Sequence, residues 1–141
     1  MPENKKLRVV IDTNILVSSL IGKEVSALND YLIQENIILL FSKESFAELS
    51  DVMNRPKLKK LFTKNRVNRL TVLLSEIMVF VKVRSKTTIC RDVKDNFVLN
   101  LCYDGKADYL ITGDNDLLIL GSHSKTKIIS FSDFKKTVPL K

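Results

Sequence analysis

Five short, largely apolar runs punctuate the chain: Leu7 to Ile11, Ile37 to Phe41, Val79 to Val83, Tyr109 to Thr112 and Ile128 to Phe131. A strand with one wet face alternates apolar and polar residues. Near-continuous runs of this length suit strands covered on both faces, as in a parallel sheet. The segments between them carry helical signals. Val25, Leu28, Leu32 and Ile33 recur at helical spacing, and Ser42 is placed to cap a helix, with Phe41 and Phe46 as its hydrophobic staple. Pro56 suits a helix start, and Thr63 precedes Val67, Leu70, Leu74 and Ile77 on one helical face. Further helices are expected from Asp95 to Tyr103, stopping at Gly105, from Asn115 to Leu120, closing near Gly121, and from Ser132 to Lys136. Repeated βαβ units predict a three-layer α/β/α sandwich around a mostly parallel sheet of about five strands. With 141 residues and no Gly-, Ser- or Pro-rich linker, one domain spanning residues 1–141 is expected.

Composition removes several classes. Apolar residues make up 45% of the chain and charged residues 28%, a globular balance rather than a disordered one. The longest uncharged runs, such as Asn14 to Gly22, fall well short of the roughly 20 apolar residues that span a bilayer. The start, Met1-Pro2-Glu3-Asn4-Lys5-Lys6, does not read as a signal peptide, so the expected compartment is the cytoplasm, with no membrane partner. Cys90 and Cys102 make neither a disulfide framework nor a zinc spacing, and both are expected as buried thiols. The lone His123 reads as a loop residue with no nucleophile to serve. A receiver-type phosphoacceptor needs an Asp after the third strand, where this chain has Arg84-Ser85. A phosphatase of the D-x-D-x-T type needs a second Asp where Asn14 stands. A dinucleotide site needs a Gly-rich turn that Gly22 alone does not make.

Twenty-three Lys and Arg against sixteen Asp and Glu leave a net charge of +7, which draws a small domain to polyanions. The excess is local. Residues 55–75 hold Arg55, Lys57, Lys59, Lys60, Lys64, Arg66 and Arg69 and no acid. This is either a solvated helix face or a track for a nucleic-acid backbone, whose phosphates such contacts position without reading sequence.

Ligands of open α/β sheets bind beyond the carboxyl ends of the strands. Asp12 directly follows Val9-Val10-Ile11, and Asp114 and Asp116 follow Tyr109-Leu110-Ile111-Thr112-Gly113. Glu48 lies in the helix entered from the second strand, with Glu44 a comparable candidate, and Asp95 opens the helix before the fourth. Each has a plain alternative. Asp12, Asp114 and Asp116 fit as turn or cap residues, and Asp92 with Asp95 resembles a capping box. Yet Asp95 shares a helical face with Val98, Leu99 and Cys102, which directs its carboxylate to the buried side. Carboxylates gathered at one sheet end repel one another, and an oxygen-preferring Mg²⁺ or Mn²⁺ offsets that repulsion.

These motifs together resemble the PIN domain family. Val9-Val10-Ile11-Asp12-Thr13-Asn14-Ile15-Leu16-Val17-Ser18 is similar to its opening, and Ala47-Glu48-Leu49 to its second acidic position. Arg91-Asp92-x-x-Asp95-Asn96-x-x-Leu99 and Ala107-Asp108-Tyr109-Leu110-Ile111-Thr112-Gly113-Asp114-Asn115-Asp116 are similar to its third and fourth. The resemblance covers a core of about residues 7–134 and is nearest to VapC-like toxins of toxin–antitoxin pairs. It implies a metal-dependent endoribonuclease with Asp12, Glu48, Asp95 and Asp114 in the catalytic site and Asp116 as a further metal ligand. It also implies supporting roles for Asn14 and Thr112, and one or two Mg²⁺ or Mn²⁺ ions that lower the pKa of the attacking water. The partners it implies are an RNA substrate, a cognate antitoxin and a second copy in a homodimer. With a degraded metal site, the same fold implies an RNA- or protein-binding module instead. Asn96 departs from the pattern, standing where close relatives often carry a second Asp.

Overall fold

The computed structural model describes residues 6–21, 30, 31, 33, 34, 37–60 and 63–139. The helical spacing of Val25, Leu28 and Leu32 lies outside those residues. Strands form where apolar, β-branched-rich runs were expected: β1 Leu7–Ile11, β2 Ile37–Phe41, β3 Met78–Phe80, β4 Tyr109–Ile111 and β6 Thr126–Ile129, with a two-residue β5 at Ser122–His123. The helices described are α1 Thr13–Ile21, α2 Lys43–Met53, α3 Pro56–Lys59, α4 Lys64–Ile77, α5 Val93–Asp104, α6 Asn115–Leu118 and α7 Phe131–Thr137.

The six strands make one sheet in the order β3-β2-β1-β4-β6-β5. All neighbours pair parallel except β5 with β6. The chain steps outward from β1 through β2 to β3, then returns to place β4 on the other side of β1. Right-handed crossovers require the helices of the two directions to lie on opposite faces, and they do. Val9, Ile11, Leu39 and Phe41 pack with Leu16, Leu49, Val52, Leu74, Ile77 and Phe134 on one face. Val10, Leu40 and Leu110 pack with Leu99, Leu101, Cys102 and Leu117 on the other. Neighbouring residues of each strand thus enter different cores, which is why the runs are continuously apolar.

Local chemistry sets the helix ends. Ser42 accepts from the Ser45 N–H (3.0 Å) and the Ser45 hydroxyl accepts from the Ser42 N–H (2.8 Å), a reciprocal box that opens α2. The Phe41 and Phe46 rings meet edge-on at 5.8 Å, completing the staple. Pro56 stands at the first position of α3, where a missing N–H costs nothing. Gly105 caps α5 because its backbone is pressed on β2. A methyl there would lie 2.9 Å from both the Leu101 carbonyl and Leu40 Cδ1.

Four expectations shift. The third strand ends at Phe80 rather than Val83. The last strand begins at Thr126 and ends at Ile129, with Phe131 opening α7 because Ser130 caps it through the Asp133 N–H (3.1 Å). His123 lies in β5 rather than a loop, with Tyr103 against its ring at 6.4 Å. Cys102 is buried, its thiol pushed up to about 12 by burial, whereas Cys90 is only half-buried.

After Phe80 the chain leaves the sheet. The Val81 N–H donates to the Phe41 carbonyl (2.7 Å), and side chains of α5 then replace the neighbouring strand. Asn100 Oδ1 accepts from the Thr87 N–H (2.9 Å) and the Ser85 hydroxyl (3.2 Å). Asp104 Oδ2 accepts from the Arg84 N–H (2.6 Å), the Ser85 N–H (2.8 Å) and the Ser85 hydroxyl (3.0 Å). Burial alone would raise the Asp104 pKa. The bonds from Ser85 and Arg84 and the charge of Arg84 outweigh it and hold the carboxyl below its ordinary value. A lowered carboxyl pKa adds stability that is present above the unfolded value and lost as pH falls through the folded one. Asp104→Ala is therefore expected to cost about 1–2 kcal/mol at neutral pH. That deficit should shrink in acid below about pH 4. Urea melts of both proteins at pH 7 and pH 3 check this, and a deficit independent of pH contradicts it.

Candidate metal centre

The strand order reverses between β1 and β4, and the chain leaves both strands at the same edge of the sheet. This is the crevice in which open α/β sheets place ligands. The two exits are held tightly. The Asp12 N–H donates to the Ile111 carbonyl (2.9 Å) and the Thr112 N–H to the Ile129 carbonyl (3.1 Å), so each backbone stays on the ladder one residue past its strand.

The two exits are also joined by side chains. The buried Thr112 hydroxyl donates to Asp12 Oδ2 (3.0 Å) and accepts from the Asp114 N–H (3.1 Å). Asp12 Oδ1 accepts from the Asn14 N–H (2.9 Å), capping α1, and Asp114 Oδ1 accepts from the Asp116 N–H (2.9 Å), capping α6. Capping uses one acceptor position of each carboxylate, and an ionised carboxylate has about four. Cap and site are therefore compatible roles for one residue, not rival ones.

Asp95 completes the arrangement from the first turn of α5. It does not close a capping box with Asp92. Asp92 caps α5 through the Lys94 N–H (2.9 Å), and Asp95 is buried. Oxygens of Asp95, Asp114 and Asp116 lie within 4.8 Å of one another. Burial raises the Asp95 pKa, and the charges of Asp114, Asp92, Asp116 and Asp12 raise it further. A buried carboxyl crowded by like charges is what a divalent cation relieves. The donor set is all oxygen, as Mg²⁺ and Mn²⁺ prefer. The residues present therefore fit such an ion.

The other expected site residues are distributed as follows. Asn14 offers its N–H to Asp12 and is exposed. Glu48 and Glu44 are exposed on α2, outside the group formed by Asp95, Asp114 and Asp116. Arg55, Lys57, Lys59, Lys60 and Lys64 are exposed on and around α3 and the start of α4. The side chains of Arg66 and Arg69 lie outside the described residues. No described helix is long and apolar enough to cross a membrane.

Asn96 does not face a carboxylate role. Its Nδ2 donates to the Cys90 carbonyl (3.0 Å) and its Oδ1 accepts from the Cys90 N–H (2.8 Å). An amide does both, whereas an ionised carboxylate has no proton to donate. The polar stripe of α5 went unread in the sequence. Asn96, Asn100 and Asp104 recur every four residues, one helical face, and that spacing is its signal.

A sequence profile described as PIN domain matches residues 8–116. The uncharacterized protein MJ1680 of Methanocaldococcus jannaschii is 32% identical over 140 residues, covering 97% of this chain and 90% of that protein. The profile match takes in β1, β4, the reversal point between them and all three clustered acids, and on that ground the chain belongs to the PIN domain family.

Proposed function

We propose that this protein is a metal-dependent endoribonuclease whose centre is built from Asp95, Asp114 and Asp116, with Asp12 as the neighbouring carboxylate. The observation that carries the reading is the approach of three carboxylates to within 4.8 Å at the reversal point, one of them buried, its pKa raised first by burial and then by neighbouring acidic charges. PIN domains are generally nucleases that use divalent ions, and the acidic cluster agrees with that. When bound, Mg²⁺ or Mn²⁺ supplies a water of lowered pKa and polarises the phosphodiester. The chain's own part is positional. Asp95, Asp114 and Asp116 would hold the ion, and the Thr112 hydroxyl keeps Asp12 and Asp114 at fixed separation. The first turn of α5 adds its dipole to the attraction for negative charge. Exposed cations from Arg55 to Lys64, with Arg66 and Arg69 in the same segment, would hold the RNA backbone without reading sequence. Glu48 enters this reading only as a ligand reached through water. A toxin role with a cognate antitoxin, a homodimer, a cytoplasmic location and a single domain over residues 1–141 complete the proposal.

The test is cleavage of single-stranded and structured RNA by purified protein in Mn²⁺, in Mg²⁺ and in EDTA, with Asp12→Asn alongside. The expected result is cutting that needs metal and falls by about 10²-fold or more in the variant. Cutting that survives in Asp12→Asn places the chemistry elsewhere. RNA binding with neither cutting nor Mn²⁺ binding by calorimetry leaves a binding module of the same fold.

A further inference from the structure

We propose that Arg91 is the residue that grips the RNA phosphate at the rim of the carboxylate centre, and that Asn96 is the positioning residue that holds it there. The inference rests on the nuclease reading but is carried by different atoms. Arg91 lies between two fixed points. On one side, Cys90 is held through both its N–H and its carbonyl by the Asn96 amide. On the other, Asp92 caps α5 by its side chain and accepts the Asp95 N–H at its carbonyl (3.1 Å). The backbone of Arg91 is therefore set to within one residue in each direction. Its guanidinium reaches 4.0 Å from Asp116 Oδ1, an oxygen-bearing group of the acidic cluster, yet the side chain is 94% exposed.

A fixed root and a solvated head distinguish Arg91 from a structural ion pair. At 4.0 Å with both partners exposed, the pair with Asp116 contributes little to stability. The guanidinium is left almost wholly in solvent beside a site whose substrate must bring phosphates toward three carboxylates. That approach is repulsive, and a permanent cation at the rim counters it with a fork that matches two phosphate oxygens. Lys94, also exposed nearby in sequence, makes no ion pair with the cluster among the described residues. Asn96 makes the placement possible because its amide both donates and accepts, which also explains why an acid does not stand at that position.

The test is fluorescence anisotropy of a labelled single-stranded RNA in EDTA, so that binding is read without cutting. Arg91→Ala is expected to weaken binding about tenfold. It should also reduce the slope of log affinity against log salt by about 0.7, the share of one phosphate contact on a single strand. Arg91→Lys should restore the slope but not the full affinity, because a point charge lacks the fork. Lys127→Ala, on the exposed side of β6, controls for charge alone. Asn96→Ala should resemble Arg91→Ala, and the double variant should be no worse than either. Equal effects of Arg91→Ala and Lys127→Ala overturn the proposal, as does full affinity in Arg91→Ala. The two Arg91 variants decide the matter even where Asn96→Ala fails to fold. A wild-type protein that neither cuts RNA nor binds Mn²⁺ overturns the nuclease reading, and Arg91-dependent binding then leaves Arg91 as a phosphate contact of a binding module; full affinity in Arg91→Ala beside intact cutting overturns this inference alone.

Discussion

Asp95→Asn is expected to silence metal-dependent RNA cleavage and, at the same time, to raise the melting temperature of the metal-free protein. Asp95 is 8% exposed, and its pKa is raised first by burial and then by the charges of Asp114, Asp92, Asp116 and Asp12. The sign follows from linkage. A raised carboxyl pKa gives stability that is full below the unfolded value and lost as pH rises through the folded one. At neutral pH the buried, crowded carboxyl therefore works against the fold unless a cation neutralises it. Asn keeps the shape and removes the charge, with an expected gain of about 1–2 kcal/mol in EDTA. For a chain of this size that is roughly 3–8 °C. The gain should fade in acid, where wild-type Asp95 is protonated. Cleavage should fall about 10³-fold, several kcal/mol of lost transition-state stabilisation. Mn²⁺ should stabilise the wild type, by about 2.7 kcal/mol at a hundred times its Kd, and the variant far less. Scanning calorimetry of both proteins in EDTA and in Mn²⁺ measures the stability changes, and RNA cleavage in Mn²⁺ measures the loss of activity. A variant that melts below wild type in EDTA at pH 7 means that Asp95 is a structural carboxylate.

That opposition of stability and activity explains what was legible in the sequence and what was not. The strands were readable because a sheet covered on both faces must bury every residue of Val9-Val10-Ile11 and Leu39-Leu40-Phe41, and nothing polar interrupts them. The last strand was misplaced because Thr126 and Lys127 disguise its start. Thr126 is buried only because its hydroxyl donates to the Ala107 carbonyl (2.8 Å), a partner distant in sequence. Val81 and Val83 continue the apolar pattern of the third strand past its end at Phe80. What ends it is a set of α5 side chains that take the backbone bonds of residues 84–87. In the site, Asp12, Asp95 and Asp114 can be singled out because an acid beside a buried strand end or on a buried helix face is costly unless it is partnered. Whether each was cap or ligand stayed open, because the choice depends on distances across the sheet. The clamp of Asn96 on Cys90 was hidden for the opposite reason. The four-residue spacing of Asn96, Asn100 and Asp104 marks a polar stripe, but it does not say which backbone groups the stripe holds.

Thr112 tests whether the two sides of the reversal point act as one unit. Its hydroxyl is the side-chain bridge described between them, donating to Asp12 Oδ2 and accepting from the Asp114 N–H. Thr112→Val replaces that hydroxyl with a methyl of similar shape, so no cavity opens in a site that is fully buried. Two groups then lose a partner, and the expected cost is about 1–3 kcal/mol of stability. The larger effect should be on chemistry. Groups that orient metal ligands typically contribute about 10–100-fold, so kcat should fall by that factor together with Mn²⁺ affinity. KM for RNA should stay close to wild type, because the cations that hold the backbone lie elsewhere. Thr112→Ser separates orientation from packing. It returns the hydroxyl while losing a buried methyl, so activity should recover while a deficit of about 1 kcal/mol in stability remains. If the Ser variant stays as inactive as the Val variant, the methyl is the important group. Asp12 and Asp114 are then placed by packing from α1 and α6 rather than by the bond between them.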